Sequence, residues 1–578
     1  MHLTRPRRRK LLQPALCDSH PTRIADSVRA VVDQRESPVH VVQYLLRLGK
    51  YRFVVEIHTS NLTENAPNSP SASVSRRELA IPARLRSLWL CNYPPIPRDD
   101  AEARVIDGGR ERGGERLEQG EALAELVGAD LTVPCLGGDE LTYRDLDCAA
   151  STPATKRVAQ RVAETLPWYS SVHRGAGYKS RLSTDLYETS RRQILAFTNR
   201  RGRDGDVAIL CRNTTEALNH LAFRLVLEPS DVVVTTVVEH HANMLPWARY
   251  AQRRWVECER DGTFSVDDVI AALDTSPRPR LLAITGASNV TGWLPPVDAI
   301  CDEAHDRGIP VVLDAAQLAP HRPIPAAPEF VAFSGHKLYA PYGAGALVGP
   351  SDFFNEGEPF LVGGGAVDLV DLDEVIWSAL PEREEAGSPN VLGAVAFGEA
   401  ISELSTIGWP SLIAHETLLA TKLRRGLAGI DGVELLGPDL DTDTLAIATF
   451  NVAGLHHALV AARLSAEFAI GVRHGCFCAH PYLMRLLGVG PDAAAQARAS
   501  VLKGDRYLIP GAVRASCGIG TTLEDVEFLL GAVESIATGN PPPVSYTQDP
   551  HTGDFWPDTD LPGWSLAERR GDGGCARG

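Results

Sequence analysis

The stretch FVAFSGHKLYAPYGAGALVG, residues 330–349, holds one lysine, Lys337, between a short apolar run and a glycine-rich turn. The whole chain has only seven lysines among its 57 basic residues. Arginine stays protonated in proteins, whereas a desolvated lysine can lose its proton and become a nucleophile. The run FVAFS has the length and composition of a buried strand, so Lys337 falls just past a strand end. Gly343 and Gly345 would let the backbone approach a ligand closely. A plain surface lysine in a loop is the competing reading of the same residues.

Around this stretch the chain alternates strand-like and helix-like segments. DVAILC (206–211), DVVVTTVVE (231–239), RLLAITGAS (280–288), IPVVLDAAQ (309–317) and FVAFSG (330–335) read as buried strands. TTEALNHLAFRLV (214–226) opens like a capped helix, and VDAICDEAHDRG (297–308) runs with a helical period to a glycine. This alternation predicts an α/β fold with a mainly parallel sheet. After about residue 390 a long helical stretch, the strand LAIATFNV (445–452) and a helix near 522–538 predict a smaller α+β domain. The domain expectation is an N-terminal extension over 1–140, partly disordered; a large domain over 141–390; a small domain over 391–538, with contributions from the start of the core; and a flexible tail over 539–578. Within the extension, residues 38–60 are expected to form a helix and a strand.

The 578 residues carry a net charge of −16 and 44% hydrophobic residues. That composition supports a sizeable core and disfavours broad nucleic-acid binding or adhesion to an anionic membrane. No run approaches the roughly 18 apolar residues of a membrane span. Eleven cysteines spread over a long chain do not form a secreted disulfide pattern, so a cytoplasmic location is expected. The basic start MHLTRPRRRK lacks the apolar stretch of a secretory signal, and Pro6 and Pro14 interrupt an amphipathic import helix.

Asp314 ends the strand IPVVLD, where open α/β sheets gather their ligands. It is either a turn cap or the partner of a cationic group. An aspartate and a lysine at two strand ends suggest the pairing that pyridoxal phosphate (PLP) needs: an amine for its Schiff base and a carboxylate for its ring nitrogen. Thr214 and Thr215 start a helix after a strand and could hold a phosphate, or act as a plain N-cap. His240, in VVEHHANMLPW (237–247), follows a strand and could lie on an aromatic ring, or be an ordinary loop histidine.

Together these segments resemble the class V aminotransferase-fold family of PLP enzymes, and within it the cysteine desulfurase and selenocysteine lyase branch. The resemblance covers roughly 141–538. It rests on LDCAASTP, VHRG, TTEALN, EHHANMLPW, SNVTG, LDAAQ, FSGHKLYAPYGAGAL, EAGSPN, VRHGCFCAHP and VRAS, in that order along the chain. It implies fold type I, with a seven-stranded, mainly parallel sheet and a smaller C-terminal α+β domain. It also implies PLP as cofactor, with Lys337 as its Schiff-base lysine, Asp314 as partner of the ring nitrogen and Gln317 on the phenolic oxygen. His240 would stack on the ring and assist proton transfer. Thr214, Thr215, Ser334 and His336 would cradle the phosphate. Ser388 stands where the branch often has a threonine reaching the neighbouring subunit's phosphate, which implies a homodimer. Asn289 and Arg514 would hold the substrate, Arg514 by its α-carboxylate.

The resemblance further implies sulfur transfer from L-cysteine to an enzyme cysteine, release of alanine, and hand-over to a sulfur-acceptor protein. RHGCFCAHP (473–481) offers Cys476 and Cys478, and the resemblance aligns Cys478 with the nucleophile. Arg473, His474 and His480 could raise its thiolate fraction. Zinc ligation by Cys476, Cys478 and His480 would lack a fourth ligand. The common desulfurase loop has one cysteine rather than CFC, and PYLMRLLGVG after it also differs. Other class V reactions therefore stand as alternatives: transamination, epimerisation or another carbon–sulfur lyase reaction. A PLP-binding protein without turnover is a further one.

Overall fold

The computed structural model describes residues 120–198, 205–507 and 509–559, together with the backbone of three strands before residue 60. Residues Met1–Arg98 form one unit and Asp99–Gly578 another. In the first unit His40–Leu48 pairs antiparallel with Tyr51–Thr59, and Ala30–Val31 adds to its edge. The expected helix over 38–60 is thus a strand. HVVQYLLRL is rich in β-branched, aromatic and leucine side chains, and only Gly49 and Lys50 separate the paired Leu48 and Tyr51, a hairpin spacing.

The second unit is built on a seven-stranded sheet. Its strands are β1 (Asp206–Cys211), β2 (Val232–Thr236), β3 (Gln252–Val256), β4 (Leu281–Thr285), β5 (Val311–Asp314), β6 (Phe330–Ser334) and β7 (Gly345–Pro350). Their order is β1-β7-β6-β5-β4-β2-β3. Only β7 runs against the others. Strands β2, β4, β5 and β6 are buried at every position. Such strands need cover on both faces, and that is why each opens with a run of apolar residues before a polar end. Helix α1 (Thr214–Arg224) follows β1, and α2 (Val297–Asp306) lies between β4 and β5. Val297, Ile300, Cys301 and Ala304 form the buried stripe of α2, at the helical spacing.

The C-terminal part contains α3 (Val391–Ile407) and α4 (Trp409–Ala428), then a four-stranded antiparallel sheet. Its strands are β8 (Val433–Leu436), β9 (Ile447–Val452), β10 (Arg473–Gly475) and β11 (Ala512–Ser516), ordered β8-β9-β11-β10. Helix α5 (His457–Phe468) packs on it, and α6 (Leu523–Ala537) packs against α4 and α5. Leu419, Leu423, Phe450, Val513, Leu529 and Val533 belong to its core.

Packing starts before residue 141: Leu126 is buried, and the Leu123 amide donates to the Ile519 carbonyl at 2.7 Å. Within the segment expected as a flexible tail, Tyr546–Gln548 and Phe555–Pro557 form a hairpin. Phe555 lies 5.5 Å from the His456 ring, and Asp554 binds His474 at 3.2 Å. Phe555 gives this otherwise polar segment something to bury, while Trp556 stays exposed.

That contact assembles His456, His457 and His474, with ring centroids 4.2 and 5.5 Å apart along the row. Burial lowers all three, His457 to about 3, with Asp554 opposing the shift at His474. His457 is thus neutral in the fold well below the pH at which, in the unfolded chain, it binds a proton, about 6.5. Stability is therefore retained above that pH and lost as pH falls through it. His457→Gln is expected to flatten the fall of the thermal midpoint between pH 7 and 5, its imidazole accounting for up to about 1.4 kcal/mol per pH unit. An unchanged slope in scanning calorimetry would contradict this.

Candidate active site

The carboxyl ends of the parallel strands converge on a cavity of about 410 Å³. Thr214 and Thr215 reach it from the turn after β1, His240 from beyond β2, and Asn289 from beyond β4. Asp314 ends β5, Ser334 ends β6, and Lys337 closes the short turn after β6. Gln317 and His336 also line it, with Arg514 from β11 and Phe477 and Cys478 from the loop after β10. Of the twelve residues that the resemblance assigns to catalysis, cofactor or substrate, eleven meet in one place; the twelfth, Ser388, does not line this cavity. It is exposed and borders a second cavity of about 510 Å³ beside Gly343 and Asn390.

The helix cap after β1 is Asn213, not a threonine: its side chain accepts from the Glu216 amide at 3.0 Å. Thr214 instead donates its amide to Ser334 Oγ at 2.8 Å and shares a hydroxyl contact with it at 2.6 Å. Hydroxyls from two strand ends and a helix N-terminus thus form one polar wall, suited to phosphate. Asp314 does cap its turn, one oxygen accepting from the Ala316 amide at 3.0 Å. Burial raises its carboxyl, while Lys337 opposes the rise. His240 Nδ1 accepts from the Ala242 amide at 3.0 Å, which leaves the ring proton on Nε2. Burial, then the charge of Lys337, holds His240 near 3, so it is neutral at working pH. Burial brings Lys337 down to about 8, with Asp314 opposing. Its Nζ donates to Gln317 Oε1 at 3.2 Å, and buried Gln317 Nε2 has no partner among the described residues.

The cysteine loop is held on both sides. Asn289 Nδ2 donates to the Phe477 carbonyl at 2.7 Å, and the His241 amide donates to the Cys478 carbonyl at 2.8 Å. Asn289 therefore fastens the loop. Phe477 and Cys478 have φ of 53° and 56°, left-handed conformations uncommon outside glycine. This geometry separates the two cysteines: Cys478 is exposed and lines the cavity, whereas Cys476 packs against the core. Of the groups expected to act on the thiol, the two histidines are engaged elsewhere, and Arg473 lines the same cavity as Cys478. His474 binds Asp554, Arg473 faces Asp147, and His480 stacks on His241 at 5.2 Å. Among the described residues no group of His, Cys, Asp and Glu is arranged to hold a metal ion.

Two acids went unremarked in the sequence. Asp147 accepts from Arg514 Nη2 at 2.9 Å. Glu239, fully buried, accepts from Thr236 Oγ1 at 2.8 Å, Asn243 Nδ2 at 2.7 Å and the Thr285 amide at 3.0 Å. Burial pushes Glu239 up to about 8. An acid closing an otherwise apolar run, as in DVVVTTVVE, was its available signal.

The donor set fits PLP: an amine beside a buried carboxylate, a hydroxyl-lined helix start, and an unpaired buried amide nitrogen at Gln317. Fold and site together are those of a PLP-dependent enzyme of fold type I. The family model for the class-V aminotransferases matches residues 144–529, and the chain belongs to that family. It is 32% identical to a probable cysteine desulfurase of Halobacterium salinarum, over 73% of this chain and 98% of that one. It is 35% identical to one of Halalkalibacterium halodurans, over 63% of this chain and 89% of that one. Among solved structures, the apo cysteine desulfurase of Thermococcus onnurineus superposes with a TM-score of 0.61 at 31% identity, covering 69% of this chain and 95% of that one. The cysteine desulfurase CsdA of Escherichia coli gives a TM-score of 0.57 at 31% identity, covering 68% and 93%.

Proposed function

We propose that this enzyme is a cysteine desulfurase, moving the sulfur of L-cysteine onto Cys478 and releasing alanine. The observation that carries this reading is the placement of an exposed cysteine, Cys478, in the same cavity as Lys337 and Arg514. Transamination or epimerisation has no use for such a thiol.

When bound, PLP supplies an electron sink next to the substrate α-carbon. The protein residues do the rest. Arg514 binds the α-carboxylate through its guanidinium. Lys337, brought to about 8, takes the α-proton as base and returns a proton as acid. Neutral His240, with Nδ1 held by the Ala242 amide, would present its Nε2–H to the cavity as a hydrogen-bond donor. The Cys478 thiolate attacks the substrate sulfur; the carbon–sulfur bond breaks and a sulfur–sulfur bond forms. The substrate β-carbon takes up a proton, so the products are alanine and a Cys478 persulfide.

The working form in this reading is a homodimer, with Ser388 reaching the partner's phosphate. Support comes from the hairpin Val367–Val370 and Val375–Trp377, where Leu369, Leu372 and Ile376 are exposed, Leu372 at 97%. Apolar surface of this kind marks an interaction site. Sedimentation as a monomer at micromolar concentration would remove this part. A cytoplasmic location agrees with eight free cysteines among the described residues. The exposed Cys478 would pass its sulfur to an acceptor protein or thiol, and export of the folded enzyme would contradict the location.

The test is a product assay. With L-cysteine and a reducing thiol, alanine and sulfide should appear in equal amounts. Pyruvate, a racemised amino acid or a keto acid in place of alanine would assign one of the other class V reactions.

A further inference from the structure

Strand register sets Arg473 directly opposite Arg514 on β10 and β11. Both line the cavity. Like charges directly opposite on adjacent strands repel, and a single carboxylate answers both. Asp147 places Oδ1 2.9 Å from Arg514 Nη2 and Oδ2 3.8 Å from Arg473 Nη1. The two contacts are unequal: the first is a hydrogen bond, the second only a near approach.

The two guanidiniums also differ in what they have left to give. The Arg514 side chain is 2% exposed; its Nη1 donates to the Asn289 carbonyl at 2.7 Å, and its buried Nε has no partner among the described residues. The Nε–Nη2 edge of a guanidinium is one that takes a carboxylate by two parallel bonds. Here that edge is half taken, by an internal acid on Nη2. The Arg473 side chain is 53% exposed and has no such commitment to the cavity wall. A ligand carboxylate arriving on the Nε–Nη2 edge meets Asp147 already there, and two carboxylates at one guanidinium repel. Arg473 stands next to the acid that must yield.

We propose that Asp147 is a stand-in carboxylate, holding Arg514 ready until the amino-acid ligand's α-carboxylate takes the Nε–Nη2 edge, and then passing to Arg473. This deepens the proposed function and rests on Arg514 being the carboxylate clamp. Asp147 is a positioning residue: it acts through Arg514. The arrangement keeps every charge partnered in both states, which matters where a buried guanidinium would otherwise stand alone. It also sets a threshold: a ligand enters fully only if its carboxylate outcompetes an internal one.

The experiment is calorimetric titration of the PLP-loaded enzyme with L-alanine, and with ethylamine, which is alanine without its carboxylate. Asp147→Asn is expected to tighten L-alanine about fivefold, the scale of one partly exposed ion pair, and to leave ethylamine unchanged. The ethylamine arm also removes the effect of the Asp147 charge on Lys337. Arg473→Gln, at an exposed side chain, is expected to weaken L-alanine by a similar factor, and the double variant to behave as Asp147→Asn alone. Weaker L-alanine binding in Asp147→Asn would make the acid a mere brace for Arg514 and overturn the proposal. So would an Arg473→Gln variant that binds L-alanine normally. If Arg514→Gln leaves the ratio of L-alanine to ethylamine affinity untouched, the clamp reading itself fails, independently of the hand-over.

Discussion

Lys337→Ala is expected to abolish the visible colour of the PLP-loaded protein and to lower turnover by roughly a thousandfold or more. The amine is the nucleophile that anchors the cofactor and the base that moves the α-proton, so two functions disappear together. Arginine at 337 should fare no better, because a guanidinium does not lose its proton. The surroundings matter as much as the amine. Burial lowers Lys337 to about 8 and Asp314 raises it. In the cofactor-free protein, labelling of Lys337 by an amine-selective reagent should therefore rise through pH 8. In Asp314→Asn the midpoint should move lower, since a negative neighbour that favours the charged amine is gone. A midpoint near 10.5 in the parent protein would refute the burial argument.

Cys478→Ser is expected to lower sulfide and alanine formation from L-cysteine by roughly two to four orders of magnitude while the cofactor still binds. Cys476→Ser should keep activity within about twofold. It should instead cost stability, about 1 kcal/mol, because it places a hydroxyl where Cys476 packs against the core. Full sulfur release from Cys478→Ser would leave the cofactor site standing and dismiss this thiol as acceptor. The contrast between two cysteines only two positions apart makes the pair of variants decisive.

Much of this site was legible in the sequence because a parallel sheet writes itself plainly. Strands β2, β4, β5 and β6 are buried on both faces and open as apolar runs, and the residues at or just past their polar ends are those that meet. Strand β3 was missed because QRRWV sits at the sheet edge with its arginines partly exposed. Strand β7 was missed because GALVGP resembles the continuation of a glycine-rich turn. Gly345 is needed there, since a Cβ would lie 2.6 Å from the Asn213 Cα. The partnership of Asp147 with Arg514 joins residues 367 positions apart, and no local pattern announces it. Likewise the choice between Cys476 and Cys478 depends on two left-handed residues that composition does not reveal. The early packing at Leu123 and Leu126, and the hairpin near the end, rest on a few apolar side chains in polar surroundings.

Those left-handed residues carry a last implication. Each non-glycine residue held in that conformation costs about 1–2 kcal/mol, so cysteine is a poor choice at 478 for folding alone. Glycine would sit there more comfortably, and asparagine nearly so. Selection for durability pulls position 478 away from cysteine, and only selection for reactivity holds it. In descendants of this chain that no longer handle sulfur, this position should be among the first to drift, well before Lys337 or Asp314.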